Sequence, residues 1–221
     1  MSPWRSILLI FVLVTFGGTA TANPARNVID DFESYKIGRM PASWRTWPFQ
    51  RGKAGQIYMV TQEKGNRFVR ANDEWDLSTQ MFLNFHWDVD DDPLLSWRWR
   101  ANKLPTNAKE SDDTKNDSAC GLYVTIGKFE GHAIKYVWST TLTPGQTVTR
   151  KEGKLKIVVL DSGKKHVGEW GEHTINVKKD YEKLFGEPLK KNPSGIAILT
   201  DGNATHSPAA CDYDDFSIST P

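Results

Sequence analysis

Cysteine is nearly missing from this chain: of 221 residues only Cys120 and Cys211 carry a thiol. Neither belongs to a Cys-x-x-Cys pair or has histidine at ligand spacing, which excludes a cysteine-based zinc site. Charge of one sign is lacking as well. Lysine and arginine number 28 against 27 aspartates and glutamates, and no basic arm or polybasic tail breaks that balance. Nucleic acid and anionic membrane are therefore not expected partners. The longest apolar run, residues 7–16, is half the ~20 residues a transmembrane helix needs, so no transmembrane segment is expected. Catalytic signatures are absent too. There is no Gly-x-Ser-x-Gly elbow, no His-Glu-x-x-His and no glycine-rich phosphate loop. The five histidines (His86, His132, His166, His173 and His206) are scattered, each read more simply as a strand or surface residue than as a ligand or base.

What is present begins with an address. Arg5, the apolar run and the small-x-small pattern Ala20-Thr21-Ala22 predict a signal peptide over 1–22, leaving 23–221 as a single domain exported to the periplasm or beyond. In an oxidising compartment an even cysteine pair predicts a Cys120–Cys211 disulfide, the alternative being two buried thiols. Nothing in the sequence calls for a partner subunit, and the chain is read as a monomer.

Short segments of period two dominate the rest. Residues 56–60 and 67–71 read as a hairpin around Lys64-Gly65-Asn66, and 81–87 as the next strand. After the acidic turn 88–93, Leu95, Trp97, Trp99 and Ala101 alternate with Ser96, Arg98 and Arg100: aromatics inward, guanidinium groups outward. Residues 102–119 lack periodicity and read as a long surface loop. Further strands are expected at 122–126, 134–138, 155–160, 167–174, 196–199 and at the C-terminal end, with Asp161-Ser162-Gly163-Lys164-Lys165 as a hairpin turn. One helix stands out near 177–185, capped by Asn176 and ended by Gly186. About ten strands and one helix predict an all-β fold, an antiparallel, jelly-roll-like β-sandwich.

Candidate site residues fall in loops. Asp112 and Asp113 lie in the long loop, where function usually sits. Asp201, Asn203 and Thr205 offer oxygens at i, i+2 and i+4, the beginning of a Ca²⁺ loop, with an Asx-turn as the plainer reading. An Asp-Asp-Phe triplet stands near each end of the domain, at Asp30-Asp31-Phe32 and Asp214-Asp215-Phe216. If first and last strands lie side by side, both phenylalanines point inward and the carboxylates of Asp31, Asp214 and Asp215 converge. Such carboxylates repel unless a structural Ca²⁺ or a basic side chain intervenes. Trp138 and Trp170, near turns, are candidates for a surface on which a sugar ring stacks.

The ordered set Leu95-Ser96-Trp97-Arg98-Trp99-Arg100, Leu104-Pro105, Ser111-Asp112-Asp113, Lys135-Tyr136-Val137-Trp138-Ser139, Glu169-Trp170, Asn176-Val177, Asp180-Tyr181, Phe185-Gly186 and Ile196-Ala197-Ile198-Leu199-Thr200-Asp201 resembles the domain-of-unknown-function family 3047. The family consists of exported bacterial proteins, and the likeness runs over most of 29–218. It implies a galactose-binding-like or concanavalin-like sandwich and brings no activity with it. The chain departs from the family pattern at Cys120, where an arginine is common, and at Gly202. The first departure removes a ligand role from that strand and favours the disulfide. The expected function is a non-catalytic, exported module that binds carbohydrate or another envelope ligand through Asp112, Asp113, Asp201, Asn203 and Trp138. A glycan-active enzyme using Asp113 and Asp201 as a carboxylate pair and a purely structural envelope protein are the alternatives.

Overall fold

The computed structural model describes residues 26–127 and 131–221; the expected signal peptide lies outside the described residues. In chain order the elements are β1 (Arg26–Asp30), β2 (Arg45–Thr46), α1 (Arg51–Ile57), β3 (Tyr58–Glu63), β4 (Asn66–Asp73), β5 (Met81–Asn84), β6 (Leu94–Lys103) and β7 (Cys120–Ile126). Then follow β8 (His132–Ser139), β9 (Thr147–Arg150), β10 (Leu155–Ser162), β11 (Gly171–Asn176), α2 (Val177–Phe185), β12 (Pro193–Ile198) and β13 (Ala209–Ser219). They build two sheets. Sheet A runs β11-β6-β13-β4-β3, with β1 also paired to β13; sheet B runs β2-β5-β12-β7-β8-β10-β9. Among the described residues no helix is long and apolar enough to cross a membrane.

The expected all-β sandwich with a helix at 177–185 is what the chain forms. Leu95, Trp97, Trp99 and Ala101 of β6 are all buried, while Arg98 and Arg100 leave on the other face. From sheet B, Leu122, Val124, Tyr136, Trp138, Ile196 and Ile198 meet them in one core. Cys120 of β7 and Cys211 of β13 are joined, so the disulfide staples sheet B to sheet A. The first and last strands do lie side by side, β1 antiparallel to β13. Phe32 and Phe216 are both fully buried, with ring centroids 6.0 Å apart in an edge-to-face contact.

Three local expectations change. Gln56 and Ile57 belong to α1 rather than to a strand, because Ala54 and Ile57, three apart, bury one helical face. The pair β8·β10 is parallel, not antiparallel: β9 and β10 form a hairpin, and β10 inserts beside β8 in the same direction. Finally, residues 161–165 do not close a hairpin. After β10 the chain crosses to the other layer, and β11 pairs with β6 in sheet A.

Candidate functional site

The outer face of sheet B gathers the residues with most chemical potential. Register places Arg45, Phe82, Ala197, Tyr123, Lys135 and Ile157 in one row across β2, β5, β12, β7, β8 and β10. Alternation explains the row: Met81 and Leu83 of β5 face the core, so Phe82 between them faces out. At one end Trp47, 50% exposed, packs on Phe82 with ring centroids 5.4 Å apart. Two residues on, Phe49 is fully exposed and held at φ 65, a left-handed conformation costly for a bulky side chain. The buried Ala197 lies between Phe82 and Tyr123, which are two strand spacings apart, about 10 Å.

The other end of the row is roofed. Of residues 102–119, expected as a plain surface loop, 102–103 end β6 and 104–119 fold over β8 as a strap. Thr140 Oγ1 and Thr141 Oγ1 donate to the carbonyls of Pro105 and Ala108 at 2.9 and 2.7 Å. Beneath it, Glu110 is fully buried and accepts from Ser118 Oγ (3.1 Å) and Ser139 Oγ (2.6 Å). Lys135, 3% exposed, donates to Ser118 Oγ at 3.2 Å and lies 5.4 Å from the Tyr123 ring centroid. Gly121 is required here, since a Cβ would come within 2.9 Å of both Leu199 O and Lys135 Cε.

The charges in this cluster hold one another. Burial pushes the Lys135 ammonium down, but Tyr123, Asp201 and Glu110 outweigh it and leave its pKa above the ordinary lysine value. Asp201 goes up to about 6, because burial and the nearby Asp117 and Asp73 exceed the pull of Lys135 and the Ser118 N–H. Burial likewise raises Tyr123 against the opposing effect of Lys135.

The sequence-derived candidates disperse around this cluster. Asp112 is half-buried and closes a turn onto the Thr114 N–H and hydroxyl at 2.9 and 2.7 Å. Asp113 pairs with Arg150, which also donates to Glu110 O and so pins the strap to β9. Asp201 is 4% exposed and accepts the Ser118 N–H at 3.2 Å, while Asn203 stands exposed in the following turn. The fully buried residue is Asp117, which receives Ala204 N, Thr205 N and Thr205 Oγ1 at 3.0, 2.7 and 2.7 Å. Loop 201–205 is thus held by backbone donors to carboxylates, which is turn chemistry. Asp113 and Asp201 do not flank an open cleft, since one is in solvent and the other under the strap.

Trp138 must be corrected. Its ring is 2% exposed in the core, with Nε1 donating to Gly163 O at 3.1 Å, so no face is free for a ligand. Trp170 does reach the outer face of sheet A, where the guanidiniums of Arg98 and Arg100 lie 4.8 and 4.7 Å from its ring. Asp214 and Asp215 meet there as expected, but between them stands Arg98, the basic side chain given as the alternative to a cation: Nη2 lies 2.6 Å from Asp214 and Nε 2.7 Å from Asp215. Asp31 lines the same cleft. Among the described residues no group of three or more histidine, cysteine, aspartate or glutamate side chains is arranged to hold a metal ion. Sequence reading missed Trp47, Phe82, Tyr123 and Lys135. Alternation in β5 turns Phe82 outward but gives no sign that Trp47 packs on it, and nothing local marks Lys135 as buried.

The family model described as "Protein of unknown function (DUF3047)" matches residues 42–217. No curated protein matches the sequence. Among solved structures, the chain resembles the family 11 carbohydrate-binding module of a Clostridium thermocellum cellulosomal cellulase. That likeness has a TM-score of 0.44 and 9% identity, over 90% of this chain and 97% of that one. A family 12 xyloglucanase from Bacillus licheniformis gives a TM-score of 0.44 and 8% identity, over 90% and 100%. A family 61 carbohydrate-binding module in complex with β-1,4-galactotriose gives 0.43 and 9%, over 89% and 100%.

Proposed function

Because the chain belongs to the DUF3047 family, a group without an assigned activity, we propose from its own geometry that it is an exported, non-catalytic module that binds carbohydrate along the outer face of sheet B. One observation carries this reading. Trp47 is half-exposed on Phe82, and the part-exposed Phe82 and Tyr123 share a row on one sheet face, on either side of the buried Ala197. Apolar faces of sugar rings stack on such aromatics, and Tyr123, Asn84 and Thr125 on the same face offer polar edges to the hydroxyls. The fully exposed Phe49 beside Trp47 enlarges the apolar patch that water would otherwise cover. The Cys120–Cys211 disulfide supports an oxidising, extracytoplasmic compartment.

Affinity electrophoresis in gels holding neutral polysaccharides (hydroxyethylcellulose, β-1,4-galactan, xyloglucan) tests the reading. At least one polymer should retard the protein, and Trp47→Ala or Tyr123→Ala should weaken that retardation tenfold or more. Migration indifferent to every polymer, or variants that bind as the parent does, would sink it.

A further inference from the structure

The two Asp-Asp-Phe segments converge on a cleft at the opposite side of the sandwich. Its volume is about 380 Å³, and Asp31, Asp215 and Phe216 line it together with Arg98, Trp97, Arg26 and Glu172. A break in the β13·β6 ladder between Asp214 and Ser217 creates it. There Asp215 sits at φ 54, the left-handed region that an aspartate tolerates better than most residues. A bulge of this kind re-aims a side chain and is over-represented beside binding sites. The extra residue also rephases β13, since Cys211 and Tyr213 face the core before it and Phe216 and Ile218 after it.

The lining sets charges of both signs against each other. Arg26 and Glu172 pair at 3.2 Å across one edge, more than half exposed on both sides. Arg98 is shared: it donates to the buried Asp214 at 2.6 Å and presents Nε to Asp215 at 2.7 Å. That second contact lies off the N–H direction, so Arg98 Nε stays a buried donor without a hydrogen-bond partner, as does Trp97 Nε1. Asp31 turns one oxygen to the Glu33 N–H at 3.1 Å. On the far side of Arg98 lies the indole of Trp170.

A bare cation fits this lining poorly. Ca²⁺ asks for about 6–8 converging oxygens, whereas a guanidinium already occupies the space between Asp214 and Asp215. A bare anion meets three carboxylates. A neutral ligand that carries donors and acceptors side by side satisfies both signs at once: one hydroxyl of a vicinal pair donates to a carboxylate while its neighbour accepts from a guanidinium. The geometry points to a second carbohydrate subsite in the β13 cleft, binding one or two sugar rings through Asp215, Glu172 and Arg98, so that the sandwich grips a glycan from both of its outer faces. The proposal rests on the reading of the chain as a glycan binder but not on the sheet B surface. Two sites on opposite faces hold a long or branched polymer by avidity, since the second contact forms within an already tethered complex.

Isothermal titration of the whole chain with cellotetraose, galactotetraose and xyloglucan heptasaccharide tests it. At least one sugar should bind with a stoichiometry of two. Asp215→Asn and, separately, Glu172→Ala should reduce that to one and lower affinity for the matching polymer tenfold or more. Glu172 is exposed, so its variant keeps the fold even if the Asp215 variant does not, and melting temperature checks both. A stoichiometry of one that survives both substitutions but disappears in Trp47→Ala overturns the cleft and leaves the sheet B reading standing. Binding lost in the cleft variants yet intact in Trp47→Ala upholds the cleft and overturns sheet B. Calcium chloride alone raising the melting temperature of the parent but not of Asp215→Asn makes it a cation site and overturns the proposal. No binding of any sugar overturns both.

Discussion

On sheet A, the fully buried carboxylates of Asp212 and Asp214 meet arginines that remain partly in water: Arg70, Arg98 and Arg100 are 38%, 28% and 13% exposed. On sheet B, Glu110 and Asp201 lie under the strap, and the ammonium of Lys135 reaches Glu110 only through the Ser118 hydroxyl. The first arrangement is redundant, because Asp212 takes hydrogen bonds from both Arg70 and Arg100. The second is a chain in which each member has few substitutes. A partly exposed guanidinium keeps part of its hydration, while a buried ammonium has given it up and depends on its neighbours.

The largest expected effect comes from uncoupling the two faces. Cys120→Ser with Cys211→Ser opens a loop of 91 residues and should lower unfolding stability by about 4–5 kcal/mol in the chain-entropy view, read from urea denaturation. Next is Lys135→Met, which leaves Glu110 and Asp201 buried without their cation. It should cost about 3 kcal/mol and expose the strap to limited proteolysis. Unchanged stability there would show that the hydroxyls alone hold the carboxylates.

A third effect is read in pH. The folded Asp201 keeps its proton up to about pH 6, whereas an unfolded aspartate releases it near 4. Between those values the folded state binds more protons, so this group adds stability as pH falls from 7 toward 4 and withdraws it as pH rises through 6. Asp201→Asn can still accept the Ser118 N–H, and it should flatten the pH dependence of unfolding stability in that window by roughly 2–3 kcal/mol, read from urea denaturation at a series of pH values. The smallest effect belongs to sheet A. Arg70→Ala leaves Arg100 on Asp212 and should cost no more than about 1 kcal/mol. A loss as large as that of Lys135→Met would erase the contrast between the faces.

Much of the frame was legible from alternation alone. The pattern Leu95, Trp97, Trp99, Ala101 against Arg98 and Arg100 gave β6 its two faces, and Asn176 with Gly186 bounded α2, whose cap accepts Lys179 N at 2.9 Å and whose end lies at φ 73. The two cysteines, predicted to bridge, do so. The site was legible only in fragments. Trp138 sits one strand position from a turn, and burial there depends on a layer that lies far along the chain. Alternation faces Phe82 outward, but nothing local joins it to Trp47, because the two become neighbours only when the two-residue β2 pairs with β5.

The sequence by itself determined the class, the strand faces and the helix, because these depend on side-chain periods of two and 3.6 within short windows. Tertiary structure alone decided that segment 104–119 is a strap, that Lys135 is buried and that the Asp-Asp-Phe segments share a cleft with Arg98. Each of those facts is set by contacts between residues tens of positions apart or more, where local propensity carries no information about which partner the fold will supply.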